Sequence, residues 1–89
     1  MRKFTFIVEY RGGTYISQYM APSIIEAFRI WAKNLDLQNF PEKEKNKILK
    51  ILDEDLEDLP TPIDDVDNVW HHLFIVYRRT YFINVVETV

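Results

Sequence analysis

Two histidines stand side by side, His71 and His72, shortly after Asp64, Asp65 and Asp67, and the pair Arg78 and Arg79 follows them. Imidazole nitrogen with carboxylate oxygen suits several divalent cations, and a histidine near a serine is the start of a nucleophilic pair. Spacing argues against both chemistries. Val69 to Tyr77 is rich in β-branched and aromatic residues, as a strand is. Adjacent strand residues point to opposite faces, so one ion cannot take both imidazoles. Asp65 and Asp67 share a parity and could join one histidine, but neither 53–58 nor 64–68 has the central glycine and terminal glutamate of a calcium loop. There is no cysteine, no Gly-x-Ser-x-Gly elbow and no phosphate-cradling glycine loop. Ser23 fits a helix cap, and Ser17 falls within a strand pattern. The expectation is a protein that is not an enzyme, with no catalytic residue, no cofactor and no metal site.

The elements that would position these residues are legible from periodicity. Residues 3–10 alternate Phe4, Phe6, Val8 and Tyr10 with Lys3, Thr5, Ile7 and Glu9, a strand with two distinct faces. Gly12-Gly13 then supplies the positive φ angles of a two-residue hairpin turn, with residues 14–20 returning. A turn centred there sets Arg11 opposite Thr14, Tyr10 beside Tyr15, Phe6 beside Tyr19 and Val8 beside Ser17. Ser23-Ile24-Ile25-Glu26 reads as a capping box, and Ile24, Ala27, Phe28, Trp31 and Leu35 form one stripe of the helix that follows.

Pro41 suits the first turn of a second helix, whose charged first half reads as solvated. Ile48, Leu49, Ile51, Leu52 and Leu56 are its apolar positions. Acidic residues at the C-terminal end oppose the helix dipole, so the helix should stop near Asp53, and Pro60 and Pro62 impose an extended loop. Two further strands are expected at 69–77 and 81–87, with a turn at Arg78-Arg79-Thr80. The fold class is α+β: a β-hairpin, two helices and a β-hairpin (ββααββ), forming an antiparallel sheet with the helices packed on one face. The strand-strand-helix opening resembles, at the level of fold only, units of small bacterial antitoxin and RNA-binding-like domains. No functional residue is carried over from that resemblance.

At 89 residues, the chain is expected to be a single domain, 1–89, and its 47% hydrophobic and 15% aromatic content is that of a globular protein. The start, MRKFTFIVEY, lacks the apolar core of a signal peptide, and no stretch is apolar over the roughly 18 to 20 residues that span a bilayer. A cytoplasmic protein without membrane contact is the expectation. Net charge is −3, so no overall basic field attracts phosphate backbones. The charge is uneven: residues 53–67 hold eight acidic residues and no Lys or Arg, which leaves the rest of the chain net basic.

The last two strands are apolar on both faces, with Phe74 and Val76 opposite in direction to Leu73, Ile75 and Tyr77, and Tyr81, Ile83 and Val85 opposite to Phe82 and Val86. Two helices cover one side of a sheet, and a large apolar patch seldom stays bare on a soluble monomer. Leu73, Ile75, Tyr77, Phe82 and Val86, with Arg78 and Arg79 at the tip, therefore form the candidate interaction surface. The implied function is a small interaction domain meeting a protein partner or forming a homodimer through that face. The alternative is a nucleic-acid-associated or regulatory protein using Arg11, Arg78 and Arg79 at the hairpin tips.

Overall fold

The computed structural model describes residues 1–54, 61–62 and 68–88. The elements are β1 (Arg2–Tyr10), β2 (Gly13–Ala21), α1 (Ile24–Lys33), α2 (Glu42–Glu54), β3 (Thr61–Pro62), β4 (Val69–Val76) and β5 (Arg79–Thr88). The α+β order ββααββ is present, with β3 added as a two-residue strand before the second hairpin. All neighbours in the sheet are antiparallel, in the order β2-β1-β5-β4-β3. The first and last long strands therefore lie side by side in the middle, with Lys3 opposite Thr88 and Glu9 opposite Phe82.

The first hairpin turns at Arg11-Gly12 (φ +50° and +79°), not at Gly12-Gly13, and Tyr10 pairs with Gly13. Val8 consequently faces Tyr15, Phe6 faces Ser17 and Phe4 faces Tyr19. The partners move by two residues relative to the expected register. An even shift leaves every side chain on its expected face, which is what burial enforces. Gly13 is a strand residue whose missing side chain makes room for the Tyr15 ring: a Cβ there would lie 3.1 Å from it.

The second hairpin turns at Tyr77-Arg78 (φ +49° and +67°), so Arg79 is the first residue of β5, opposite Val76, and not a turn residue. This register places Phe74 opposite Tyr81 and Trp70 opposite Val85, uniting the apolar sets on one side. Core burial outweighs turn chemistry here, because both turn positions take left-handed backbone without glycine or asparagine.

Ser23 caps α1 by accepting from the Glu26 amide at 3.2 Å. The Glu26 carboxylate bonds Arg29 at 2.7 Å instead of closing the capping box. Ala27, Phe28, Trp31 and Ala32 are the buried stripe of the helix, followed by Leu35. Pro41 precedes α2, and its carbonyl accepts from the Glu44 and Lys45 amides at 3.0 Å. The helix is described through Glu54, and the residues that follow, Leu56 among them, lie outside the described residues, so the expected stop near Asp53 falls at their edge.

Two groups of rings fill the space between helices and sheet. Phe6, Phe28, Trp31 and Phe74 stack or meet edge to face, and Tyr10, Tyr81 and Phe40 form the second group, with Tyr10 and Tyr81 centroids 4.2 Å apart. Phe4, Val8, Ala21, Ile48, Leu52, Val76, Ile83 and Val85 are buried with them. Among the described residues, no helix is long and apolar enough to cross a membrane.

Candidate interaction surface

The sheet face away from the helices is built from alternate residues of four strands, read across in rows by their pairing. Met20, Lys3 and Thr88 form one row, and Gln18, Thr5, Val86 and Val69 the next. Ile16, Ile7, Asn84 and His71 follow, then Thr14, Glu9, Phe82 and Leu73, and finally Thr80 and Ile75. Ile16, Ile75 and Phe82 are 68%, 64% and 46% exposed, and Met20 and Leu73 are also exposed. The polar members are tied laterally, Gln18 donating to Thr5 at 2.9 Å and the His71 ring meeting the Asn84 side-chain oxygen at 3.2 Å. The apolar residues share the face with exposed Lys3, Glu9 and Thr14.

Of the residues singled out in the sequence, Leu73, Ile75 and Phe82 lie together on this face, with Leu73 directly opposite Phe82 and Val86 half-buried two rows away. Tyr77 does not join them. Its left-handed backbone takes it out of the strand alternation, and its ring lies under the Lys43 ammonium of α2, 4.9 Å from the centroid, on the helix side. Arg78 is exposed at the tip. Arg79 turns to the helix side, its Nε 3.6 Å from the Glu44 carboxylate. Ile16 and Met20 belong to the face and were not among the sequence candidates; the alternation of the return strand, with Tyr15 and Tyr19 inward, is the signal that points to them.

Both long hairpin tips lie at the same end of the sheet, since Glu9 pairs with Phe82. Between them a concavity of about 360 Å³ is lined by Arg11, Gly12, Thr14, Thr80 and Phe82 among others, so the apolar face ends beside a recess. A second concavity of about 370 Å³, lined by Lys43, Asn46, Lys47, Lys50 and Tyr77, is strongly basic.

Among the described residues, the helix side holds one buried carboxylate. Glu44, 2% exposed, accepts hydrogen bonds from the Tyr10 hydroxyl at 2.7 Å and the Tyr81 hydroxyl at 2.9 Å. Burial, and the hydrogen bonds to this carboxylate, raise the pKa of both phenols above the ordinary tyrosine value. The charged first half of α2 predicts a solvated face for Glu44, yet it stands four residues before Ile48 and eight before Leu52, on the buried stripe. That spacing is the signal for its burial.

The histidines diverge as strand geometry requires. His71 faces outward, whereas His72 is half-buried against Phe74 and Phe28, with ring centroids 4.5 and 6.1 Å away. Burial first, and the neighbouring His71 second, lower the His72 pKa to about 4. Asp65 and Asp67 lie outside the described residues, and no cluster of three potential metal ligands occurs among the described ones. Comparisons of the chain with protein-family models, curated proteins and solved structures gave no match.

Proposed function

We propose that this chain is a small, non-enzymatic interaction domain whose outer sheet face is covered by a protein, a second copy of the chain being the simplest occupant. The observation that carries this reading is the exposed set Ile16, Met20, Leu73, Ile75 and Phe82 on one side of a sheet whose other side holds both helices. Apolar residues grouped in this way mark docking surfaces more often than singly scattered ones do. The non-enzymatic part rests on the missing thiol and on histidines that point to opposite faces.

The test pairs the wild-type chain with a double variant, Ile75→Glu with Phe82→Glu, whose altered side chains are both on the exposed face. The wild type is expected to gain mass with concentration in sedimentation velocity, or to retain a protein from native extract that the variant does not. Both proteins should keep one cooperative unfolding transition. A wild type that stays monomeric and captures nothing the variant lacks would count against this reading.

A second reading, association with nucleic acid, is favoured by Lys43, Lys47 and Lys50 flanking an exposed tyrosine, Tyr77, at the end that carries Arg11 and Arg78. Cations beside an aromatic platform suit a single strand. Its mark would be binding of a mixed oligonucleotide pool that weakens steeply with salt and is lost in Lys47→Glu with Lys50→Glu.

A further inference from the structure

The two edges of the sheet are unlike. β3, described over Thr61–Pro62, contains a proline, which has no amide to offer a neighbour. β2 runs for nine residues, GTYISQYMA, without a charge or a proline, and pairs with β1 along its whole length without a bulge. Short strands, prolines, lysines and bulges are the devices that keep sheet edges from pairing with another chain. β2 has none of them.

The backbone groups on offer follow from the hairpin. Its two-residue turn closes on the hydrogen-bonded pair Tyr10 and Gly13, so Gly13, Tyr15, Ser17, Tyr19 and Ala21 bond inward to β1. Thr14, Ile16, Gln18 and Met20 then direct their N–H and C=O groups outward. None of these four takes part in any other backbone bond among the described residues.

We infer that β2 pairs antiparallel with β2 of a second copy, about a two-fold axis at Ser17, continuing one sheet through two molecules. The segment Thr14-Tyr15-Ile16-Ser17-Gln18-Tyr19-Met20 is self-complementary about its centre. Thr14 meets Met20 of the other copy and Ile16 meets Gln18, four hydrogen-bonded pairs in all, supplying about eight backbone hydrogen bonds. On the helix side, Tyr15 of each copy faces Tyr19 of the other, an aromatic cross-strand pair. No like charges meet anywhere along the seam, which a two-fold contact between charged edges could not avoid. Ser17, the small residue at the axis, borders a cleft of about 140 Å³ lined also by Tyr15, Tyr19, Trp31, Leu35 and Phe40, room into which a facing phenol can turn.

This contact uses the edge and leaves the outer face open, so it stands apart from the docking of a protein on that face. Ile16 and Met20 of each copy lie along the seam on the outer side, diagonal to those of the other copy, and the two outer faces become one surface.

The absence of cysteine makes the test direct. In this register Ser17 faces itself as a non-hydrogen-bonded pair with Cα atoms about 4.5 Å apart, within the span of a disulfide. Ser17→Cys should therefore cross-link into a dimer under mild oxidation at least about tenfold faster than Thr14→Cys, whose counterpart across the seam is Met20. Gln18→Pro removes one outward amide without touching the backbone bonds to β1, giving up only the side-chain bond to Thr5; it should abolish that cross-link, with cooperative unfolding retained. Gln18→Lys, which keeps the backbone amide, should weaken the dimer by placing two charges near the axis. Equal cross-linking of Ser17→Cys and Thr14→Cys, or a Ser17→Cys cross-link that survives Gln18→Pro, overturns the inference. If Ile75→Glu with Phe82→Glu abolishes the Ser17→Cys cross-link and Gln18→Pro does not, the second copy sits on the face and the edge pairing is wrong.

Discussion

Glu44 carries a carboxylate into a pocket of aromatic rings, where it accepts from two phenols and lies near one guanidinium. A buried charge of this kind stabilises little by itself, because desolvation offsets much of what its partners return. Removing it is another matter. Glu44→Leu leaves the Tyr10 and Tyr81 hydroxyls in the core without their acceptor and should cost about 3 kcal/mol, measured from the urea midpoint. Glu44→Gln keeps a carbonyl for both phenols and loses only the charge, so about 1 kcal/mol is expected. The triple variant Glu44→Leu, Tyr10→Phe, Tyr81→Phe should recover most of the loss, since an apolar set of similar volume needs no partners. A triple variant no more stable than Glu44→Leu alone would mean that the cost lies in packing and not in the unpaired hydroxyls. His72 poses the opposite problem, a base kept neutral. Its pKa falls from 6.5 to about 4 on folding, so between those values the unfolded chain takes up a proton that the native site refuses. Stability is therefore full above about pH 6.5, declines as pH falls toward 4, and then loses no more through this group. His72→Phe should flatten that part of the pH profile, and His71→Phe should leave most of it, as read from urea midpoints between about pH 4 and 7.

At the level of the element, the turn between β4 and β5 concentrates strain, with two adjacent left-handed residues that are not glycine. Tyr77 and Arg78 both hold left-handed backbone, at a cost of roughly 1 kcal/mol each for residues with a side chain. The double substitution Tyr77→Asn with Arg78→Gly installs the Asn-Gly pair that this turn type prefers, and should raise stability by about 1 to 2 kcal/mol in chemical denaturation. A loss of stability would show that the Tyr77 ring under Lys43 contributes more than the strain costs. Turn placement was also where the sequence was least readable. Nothing in Val76-Tyr77-Arg78-Arg79 carries turn chemistry, and in the first hairpin two adjacent glycines offered two positions. The strand faces, by contrast, could be read well, because period-two alternation survives an even register shift: Phe4, Phe6, Val8 and Tyr10 point inward under either turn. The outward set Leu73, Ile75 and Phe82 followed from the same alternation. Tyr77 and Arg79 went astray because both positions depend on where the strand ends. The charge of Glu44 argues for a solvated position, although its spacing from Ile48 and Leu52 places it on the buried stripe.

The molecule as a whole is organised around a pairing that alternation cannot reveal, since no local pattern says which strands become neighbours. β1 and β5 meet in the middle of the sheet, Lys3 beside Thr88, and an Arg2–Glu87 ion pair fastens the same end. Joining them requires closing a loop of nearly the whole chain, and the entropy of that closure is met before the contacts it permits are made. Linking residue 89 to residue 1 through a short Gly/Ser segment, and opening the chain at the exposed Leu37-Gln38 bond, turns this pairing into a hairpin while keeping every strand in place. The loop to be closed shrinks by more than about tenfold, a saving of about 2 kcal/mol at the (3/2)RT ln n scaling. If the β1–β5 pair forms in the folding transition state, the permuted chain should refold roughly tenfold or more faster, with the unfolding limb of its chevron unmoved. If the pair forms after the barrier, the refolding limb stays and unfolding slows instead. A permuted chain that changes neither limb would show that this closure does not limit how the sheet assembles.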